Sequence, residues 1–201
     1  MRIHRFFSLQ LMALLFATTA LTGCGINNVP TFDEEVKAAW SEVLNQYQRR
    51  ADLVPNLVNT VKGYATQEKE VLTQVVEARA KVTQTQLPPD ILTNKEAFQR
   101  FQQNQDQLTS ALSRLLVVVE RYPDLKSNQN FLALQSQLEG TENRIAVARR
   151  DYIRAVQKYN TELRTIPGRW WAALLYPESE VKENFTAQAG AETAPTVDFS
   201  K

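Results

Sequence analysis

The sequence predicts an all-α protein, an antiparallel bundle of long helices. Helix-breaking residues are scarce, since residues 32–165 contain only two glycines, Gly63 and Gly140, and prolines only at Pro55, Pro88, Pro89 and Pro123. The stretches between these positions are rich in Gln, Glu, Ala, Leu and Arg, which are good helix formers. No stretch shows the alternation of apolar and polar residues that is typical of strands.

Four segments carry apolar residues at helical spacing, and the third and fourth are the most regular. Both step by three and four residues in turn, which indicates seams that pack against other helices. Each seam contains one polar residue, Gln105 in the third segment and Thr141 in the fourth, and such a residue more often fixes packing register than forms a ligand site. The third seam comprises Phe98, Phe101, Gln105, Leu108, Leu112, Leu115, Val119 and Tyr122, and the fourth comprises Phe131, Leu134, Leu138, Thr141, Ile145, Ala148, Tyr152, Ala155 and Tyr159.

The first two segments are less strictly periodic but still amphipathic. Short links at residues 87–90 and 122–126 favour an antiparallel order of the segments. The first face comprises Val36, Trp40, Val43, Tyr47, Ala51 and Val54, and the second comprises Leu57, Val58, Val61, Tyr64, Leu72, Val75, Ala78 and Val82.

The joint at Pro55 leaves two arrangements open. Proline disfavours helical geometry at the preceding Val54, yet the stretch RRADLVPNLV offers no glycine or loop residue beyond Asp52 for a tight reversal. One helix kinked at Pro55 is therefore favoured, and it would place Ile166 far from the N-terminal end of the bundle. A hairpin at Pro55 would instead return Ile166 to that end.

The first 23 residues have the features of an export signal. Arg2 and Arg5 precede an apolar run over residues 6–20, which is short for a membrane-spanning helix of about 20 apolar residues. Residues 21–24 resemble a bacterial lipobox, which implies cleavage before Cys24 and lipid attachment to its thiol. An uncleaved signal anchor and an ordinary secretory signal stay open, but lipidation is favoured.

These features divide the chain into four parts. We expect a lipoprotein signal peptide at residues 1–23, a tether at 24–31, a helical bundle at 32–166, and a C-terminal aromatic segment with a partly disordered tail at 167–201. In a host with two membranes, the absence of an aspartate after Cys24, where Gly25 stands, favours the extracytoplasmic face of the outer membrane.

Cleavage would remove most conventional catalytic chemistry. The only histidine, His4, lies in the signal peptide, and the only cysteine is Cys24. A mature chain without imidazole or free thiol excludes Ser-His-Asp and Cys-His mechanisms and zinc sites built from nitrogen and sulfur ligands. The loss of Arg2 and Arg5, with no acidic residue, would change the formal charge from +1 to −1, so no nucleic-acid partner is expected.

Two long stretches resemble the LemA family. They are QRRADLVPNLVNTVKGYATQEKEVL at residues 48–72 and YPDLKSNQNFLALQSQLEGTENRIAVARRDYIRAVQKYN at residues 122–160. Gln67 and Ile153 depart from the residues common in the family, histidine and asparagine respectively. The tail resembles the family's ending at Pro167, Phe185, Pro195, Val197 and Phe199.

The resemblance implies an all-helical, envelope-facing, membrane-anchored protein with no established catalytic activity. Family members typically hold the membrane through an N-terminal transmembrane helix, so a lipid on Cys24 would be a variant of that anchor. No cofactor and no metal are expected.

Charged residues beside the seams are candidates for a partner-binding surface. They are Arg49, Arg50, Asp52, Glu142 and Arg149. The alternative, which is favoured, is that these charges cross between helices and fix the register of the bundle.

Two carboxylate pairs are weaker candidates for chemistry. Glu68 with Glu70, or Glu139 with Glu142, could form a hydrolytic pair or bind a hard metal ion. No aspartate-rich loop accompanies either pair.

The segment PGRWWAALLYP, with Trp170 and Trp171, is the most apolar feature of the C-terminal part. It could cap the bundle, which is the default, bind a partner, or lie at a lipid interface. The expected function is a non-enzymatic, membrane-anchored scaffold or adaptor that contacts another envelope protein. The alternatives are a carboxylate-dependent hydrolase or metal-binding protein, and a membrane-remodelling module that uses Trp170 and Trp171.

Overall fold

The computed structural model describes residues 25–186 and confirms an all-α, antiparallel bundle over that range. The predicted signal peptide, Cys24 and residues 187–201 lie outside the described residues. Residues 25–186 contain no strand and form helices α1 (Asn28–Lys62), α2 (Lys69–Gln84), α3 (Lys95–Val119), α4 (Pro123–Lys126), α5 (Gln129–Arg164) and α6 (Gly168–Leu175).

The two longest helices, α1 and α5, form an antiparallel pair along most of their lengths. Near the end where α1 begins, Lys158 Nζ lies 2.8 Å from Glu35 Oε2. At the opposite end, Asn128 Nδ2 donates to Tyr64 Oη at 2.8 Å. Because a helix rises about 1.5 Å per residue, α1 is roughly 50 Å long. We call the end where α1 begins the lower end and the opposite end the upper end.

Helix α1 continues through Pro55, so the chain adopts the arrangement in which one helix passes this residue. The reversal comes later, at residues 63–68, and it divides the second predicted segment between α1 and α2. This reversal adds a pass along the bundle, so the prediction that one helix through Pro55 places Ile166 far from the N-terminal end is wrong. Asn28 Nδ2 donates to Glu162 Oε1 at 3.2 Å, at the lower end.

Asparagine caps define where α3 and α5 begin. Asn94 Oδ1 accepts from the Ala97 N–H at 3.1 Å, and Asn128 Oδ1 accepts from the Phe131 N–H at 3.0 Å. Each side chain satisfies one of the backbone donors that a helix leaves unpaired in its first turn. Helix α1 begins at Asn28, inside the span predicted as a tether.

The apolar core consists of two clusters stacked along the bundle. The upper cluster contains the buried residues of α2, such as Leu72 and Val75, packed against α1, α3 and α5. The lower cluster contains large aromatic residues of α1, α3 and α5, including Trp40, Phe98 and Tyr152. Helix α2 is too short to reach the lower cluster, which is covered instead by the loop before α3 and by the C-terminal segment.

Candidate functional site

A polar layer crosses the bundle between the two apolar clusters, with Arg50 of α1 at its centre. Arg50 is only 1% exposed. Its Nη2 donates to the Gln105 side-chain oxygen at 2.6 Å and to the Gln105 carbonyl at 3.2 Å. Its Nη1 donates to Thr109 Oγ1 at 2.7 Å and to Glu142 Oε1 at 3.2 Å. One guanidinium group therefore joins α1 to both α3 and α5.

The position of this layer follows from the sequence of each helix. Along α1, Arg50 stands between Tyr47 of the lower cluster and Val54 of the upper cluster. Gln105 and Thr141, the two polar residues of the predicted seams, stand between the clusters in the same way and are both buried. The polar layer thus lies where both seams are interrupted.

The remaining charged candidates do not join the polar layer. Arg49 and Asp52 are exposed. Arg149 lies lower on α5, with its guanidinium carbon 4.4 Å from the centre of the Phe185 ring, a cation–π contact. The structure therefore brings together two of the five charged candidates and separates the other three.

A second contact between helices involves Pro55, which has no N–H to donate to the carbonyl of Ala51 one helical turn earlier. The Nε of Arg79, on α2, donates to that carbonyl at 2.9 Å. A side chain from the neighbouring helix thus satisfies the acceptor that proline leaves open. Sequence analysis did not single out Arg79, because its partner is a backbone atom 28 residues away.

The C-terminal segment at residues 181–186, which we call the strap, closes the lower cluster. The Phe185 ring centre lies 5.1 Å from that of Phe98 and 5.5 Å from that of Tyr152. The Glu183 N–H donates to the Leu92 carbonyl at 2.7 Å, and Tyr152 Oη donates to the Glu183 carbonyl at 2.8 Å. The described part of the C-terminal tail is thus packed across the bundle.

Ion pairs hold the start of the strap to α1. Asp33 lies 2.8 Å from Lys37 Nζ and 2.9 Å from Lys182 Nζ. Burial acts to raise the pKa of the Asp33 carboxyl, but hydrogen bonds from Lys37 and Lys182 outweigh it, so the pKa lies below its usual value. Asp33 therefore stays ionised at neutral pH and connects the strap to the lower end of α1.

Three tyrosines of the lower cluster keep their protons at neutral pH. Burial raises the pKa of Tyr47, Tyr152 and Tyr159, and it is the largest cause in each case. A neutral phenol is a hydrogen-bond donor, which is the role that Tyr152 has toward the strap.

The carboxylates considered for chemistry each have a separate partner. Glu68 Oε1 accepts from Arg121 at 2.9 Å and from Tyr122 Oη at 3.0 Å. Glu70 and Glu139 accept from glutamines one turn away on their own helices, and Glu142 belongs to the polar layer. Residues 25–186 contain no group of three or more His, Cys, Asp or Glu side chains that could hold a metal ion.

The aromatic segment forms α6, which folds back onto the end of α5. A Cβ added to Gly168 would lie 2.4 Å from the Glu162 carbonyl oxygen, so only glycine permits this close approach. Ala172 and Tyr176 pack against the lower cluster. Trp171 is half-buried, whereas Trp170 is 62% exposed, so the two tryptophans face different surroundings.

An apolar groove of about 500 Å³ lies at the upper end between α1 and α2. Its floor includes Val58, Leu72 and Val76, and Lys62 and Lys69 lie along it. No sequence pattern predicted this groove, because its two walls meet only through the reversal at residues 63–68.

Comparison with known proteins identifies the family. The model of the LemA family matches residues 39–199, most of the chain. The chain belongs to the LemA family. It is 26% identical over 163 residues to two proteins of Paramagnetospirillum magneticum, Magnetosome protein MamQ 1 and Magnetosome protein MamQ 2, with 73% of this chain covered. It is 22% identical over 164 residues to Protein LemA of Metamycoplasma hominis, covering 81% of this chain and 71% of that protein.

The chain spans about 60% of the length of the two MamQ relatives. Within residues 25–186, no helix combines the length and the apolar character that crossing a bilayer requires.

The two stretches that carry the LemA resemblance contact each other at two heights in the bundle, the polar layer and the upper end. At the polar layer, Arg50 of the first stretch contacts Glu142 of the second. At the upper end, Glu68 accepts from Tyr122, and Asn128 donates to Tyr64. The most recognisable parts of this LemA-family chain are therefore packed against each other.

Proposed function

We propose that this LemA-family chain is a non-enzymatic scaffold of the bacterial cell envelope. A lipid on Cys24 holds the chain at the extracytoplasmic face of a membrane, the outer one in a host with two membranes. The helical bundle presents a protein-binding surface away from the bilayer. The function requires no cofactor and no metal.

The observation that carries this proposal is that Gly25 and the groove lie at opposite ends of the bundle. Gly25, bonded to Cys24, is next to α1 at the lower end, and the groove lies about the length of α1 away, roughly 50 Å. The paired helices α1 and α5 span that distance without interruption. Such a geometry suits a spacer that positions a binding surface at a fixed height.

The groove suits a partner segment that combines apolar and acidic side chains. Val58 and Val76 offer apolar contact, and Val76 is 49% exposed. Lys62 and Lys69 provide positive charge beside it, which would attract acidic residues and repel basic ones. We therefore assign the groove to an acidic, amphipathic segment of another envelope protein.

The test places a photo-crosslinking amino acid at Val76 of the full chain in its native host. We expect a discrete crosslinked product in the membrane fraction, and the paired substitutions Lys62→Glu and Lys69→Glu to lower its yield about fivefold or more through charge repulsion. Cys24→Ser should move the chain to the soluble fraction and abolish labelling by a fatty-acid analogue.

A probe at Val117 is the matched control, because Val117 is 71% exposed but lies on α3, away from the groove. Equal crosslinking from both positions would contradict a binding role for the groove. Mass spectrometry that finds an intact Met1 and an unmodified Cys24 in the mature protein would contradict the lipid anchor.

A second candidate is a membrane-remodelling module, which the 62% exposure of Trp170 favours. Remodelling would require α6 to insert into lipid, and contact of α6 with lipid can be tested separately.

A further inference from the structure

The outward face of α6 carries the densest group of exposed apolar side chains on the described surface. Trp170 is 62% exposed, Leu174 is 72% exposed, and Ile166, just before the helix, is 64% exposed. Trp170 and Leu174 are four residues apart and so share one face of the helix, with the exposed Ala173 between them. Leu175, also on α6, is 46% exposed, and the remaining large exposed apolar residues are spread over α2, α3, α5 and the surrounding loops.

This exposure is not the result of a loosely attached helix. The opposite side of α6 is fixed by Ala172 and Tyr176, which pack against the lower cluster, and by the tight approach of Gly168 to Glu162. The helix therefore caps the lower end with one face, and holds Trp170 and Leu174 outward with the other. Capping alone does not explain an apolar outer face, because exposed apolar patches generally mark an interaction site.

The lower end is also where the N-terminal segment enters the bundle. Asn28 bonds to Glu162 at 3.2 Å, and a cavity of about 400 Å³ is lined by Val29 of α1 together with Leu175 and Tyr176. Twenty-four residues precede Gly25, and they include the apolar run at residues 6–20. A lipid on Cys24, the residue before Gly25, would therefore hold α6 close to the bilayer surface.

We propose that α6 lies in the lipid–water interface, with Trp170 and Leu174 in contact with the bilayer. This inference rests on the proposed membrane attachment and adds a second contact that sets the orientation of the bundle. Tryptophan rings are enriched at this depth because they combine an apolar body with an N–H donor. Arg164 and Arg169 are exposed close to Ile166 and would contact anionic headgroups.

A short helix with two large apolar side chains binds lipid only weakly, so it depends on the anchor for residence at the membrane. The occupant is therefore the lipid leaflet that holds the anchor on Cys24. A protein contact at the same face would exclude lipid from Trp170, and the experiment distinguishes the two.

The test uses the full chain, isolated from a bacterial envelope and reconstituted into phosphatidylcholine vesicles with phosphatidylglycerol, in which the lipids carry bromine on their acyl chains. Bromine quenches tryptophan fluorescence only on close approach. We expect strong quenching in the wild type and at least a twofold reduction in Trp170→Phe. Leu174→Ser should also reduce quenching. All variants should still float with the vesicles, because the lipid on Cys24 holds them.

Trp40→Phe is the control, because Trp40 is 6% exposed in the lower cluster and its removal should leave the quenched fraction intact or larger. Vesicle flotation without quenching, or equal quenching in the wild type and Trp170→Phe, would overturn the lipid contact and leave the scaffold proposal standing. Failure of the wild type to float would overturn both.

Discussion

Arg50 is a costly side chain to bury, and the polar layer shows how the bundle accommodates it. A guanidinium group stays charged in proteins and must therefore find acceptors when it leaves water. Five hydrogen bonds to α3 and α5 supply them, but Nε has no hydrogen-bond partner among the described residues. An arrangement that satisfies the charge incompletely is better explained by specificity than by stability, since only one register aligns all three helices at Arg50.

At the residue scale, we predict that Arg50→Met lowers the free energy of unfolding by about 2–4 kcal/mol, because it leaves buried acceptors on Gln105 unpaired. Arg49→Met, at the exposed neighbouring position, should change it by less than about 0.5 kcal/mol. Urea unfolding followed by circular dichroism measures both.

A double-mutant cycle with Glu142→Gln tests whether the ion pair between Arg50 and Glu142 contributes to this loss of stability. Glu142 is the only carboxylate that pairs with Arg50 among the described residues, so the loss caused by Glu142→Gln should nearly disappear once Arg50 is methionine. Equal losses in both backgrounds would mean that the pair does not act as a unit. Unchanged stability in Arg50→Met would return Arg50 to the partner-binding candidates.

At the scale of the element, α1 shows how a long helix tolerates an internal proline. Pro55 removes one hydrogen bond from α1, and Arg79 of α2 replaces it at the Ala51 carbonyl. The compensation comes from the neighbouring helix, so the continuity of α1 and the docking of α2 are coupled.

The predicted consequence is that Arg79→Met destabilises the protein by about 1.5–3 kcal/mol, the range for a hydrogen bond from a charged donor. In a Pro55→Ala background the loss should be smaller, because the alanine N–H can bond the Ala51 carbonyl. Lys81→Met, which removes an exposed cation from the same helix, is the control. Thermal unfolding of the wild type, the two single variants at Pro55 and Arg79, and the double variant would detect the coupling. The same loss of stability in both backgrounds would show that Arg79 has another role.

At the scale of the whole molecule, the short α2 leaves the lower half of the bundle without a fourth helix. The loop before α3 and the strap take its place, with Phe185 among the rings of Trp40, Phe98 and Tyr152. The same half carries α6 and the entry of the N-terminal segment. The half of the bundle that we propose lies at the membrane is thus the half whose packing depends on the strap.

We predict that Phe185→Ala lowers stability by about 2 kcal/mol, less than for a fully buried phenylalanine because its side chain is half-buried. Hydrogen exchange should rise mainly in peptides of the lower half, such as those around Leu92 and Tyr152, and little in α2. Val181→Ala, at a residue that is 43% exposed, serves as the control. Uniform exchange along the whole bundle would contradict a local role for the strap.

The helical class and the positions of the seams could be predicted from the sequence, because helical periodicity is a local property. The number of passes could not, because it depends on the reversal at residues 63–68. Gln105 and Thr141 were recognisable as interruptions of the two seams, but the sequence did not predict that Gln105 accepts hydrogen bonds from Arg50. The LemA resemblance covered the stretches that later proved to pack together.

Only the tertiary structure decided which charges are buried and where the chain reverses. Arg49 and Arg50 are identical in chemistry, and the rotation of about 100° between neighbouring helical residues buries one and exposes the other. The reversal at residues 63–68, the bond from Arg79 to a distant carbonyl, and the outward face of α6 depend on contacts between residues far apart in the chain. A local pattern contains no record of such contacts, which is why the helices and the seams were predictable but the surfaces at the two ends were not.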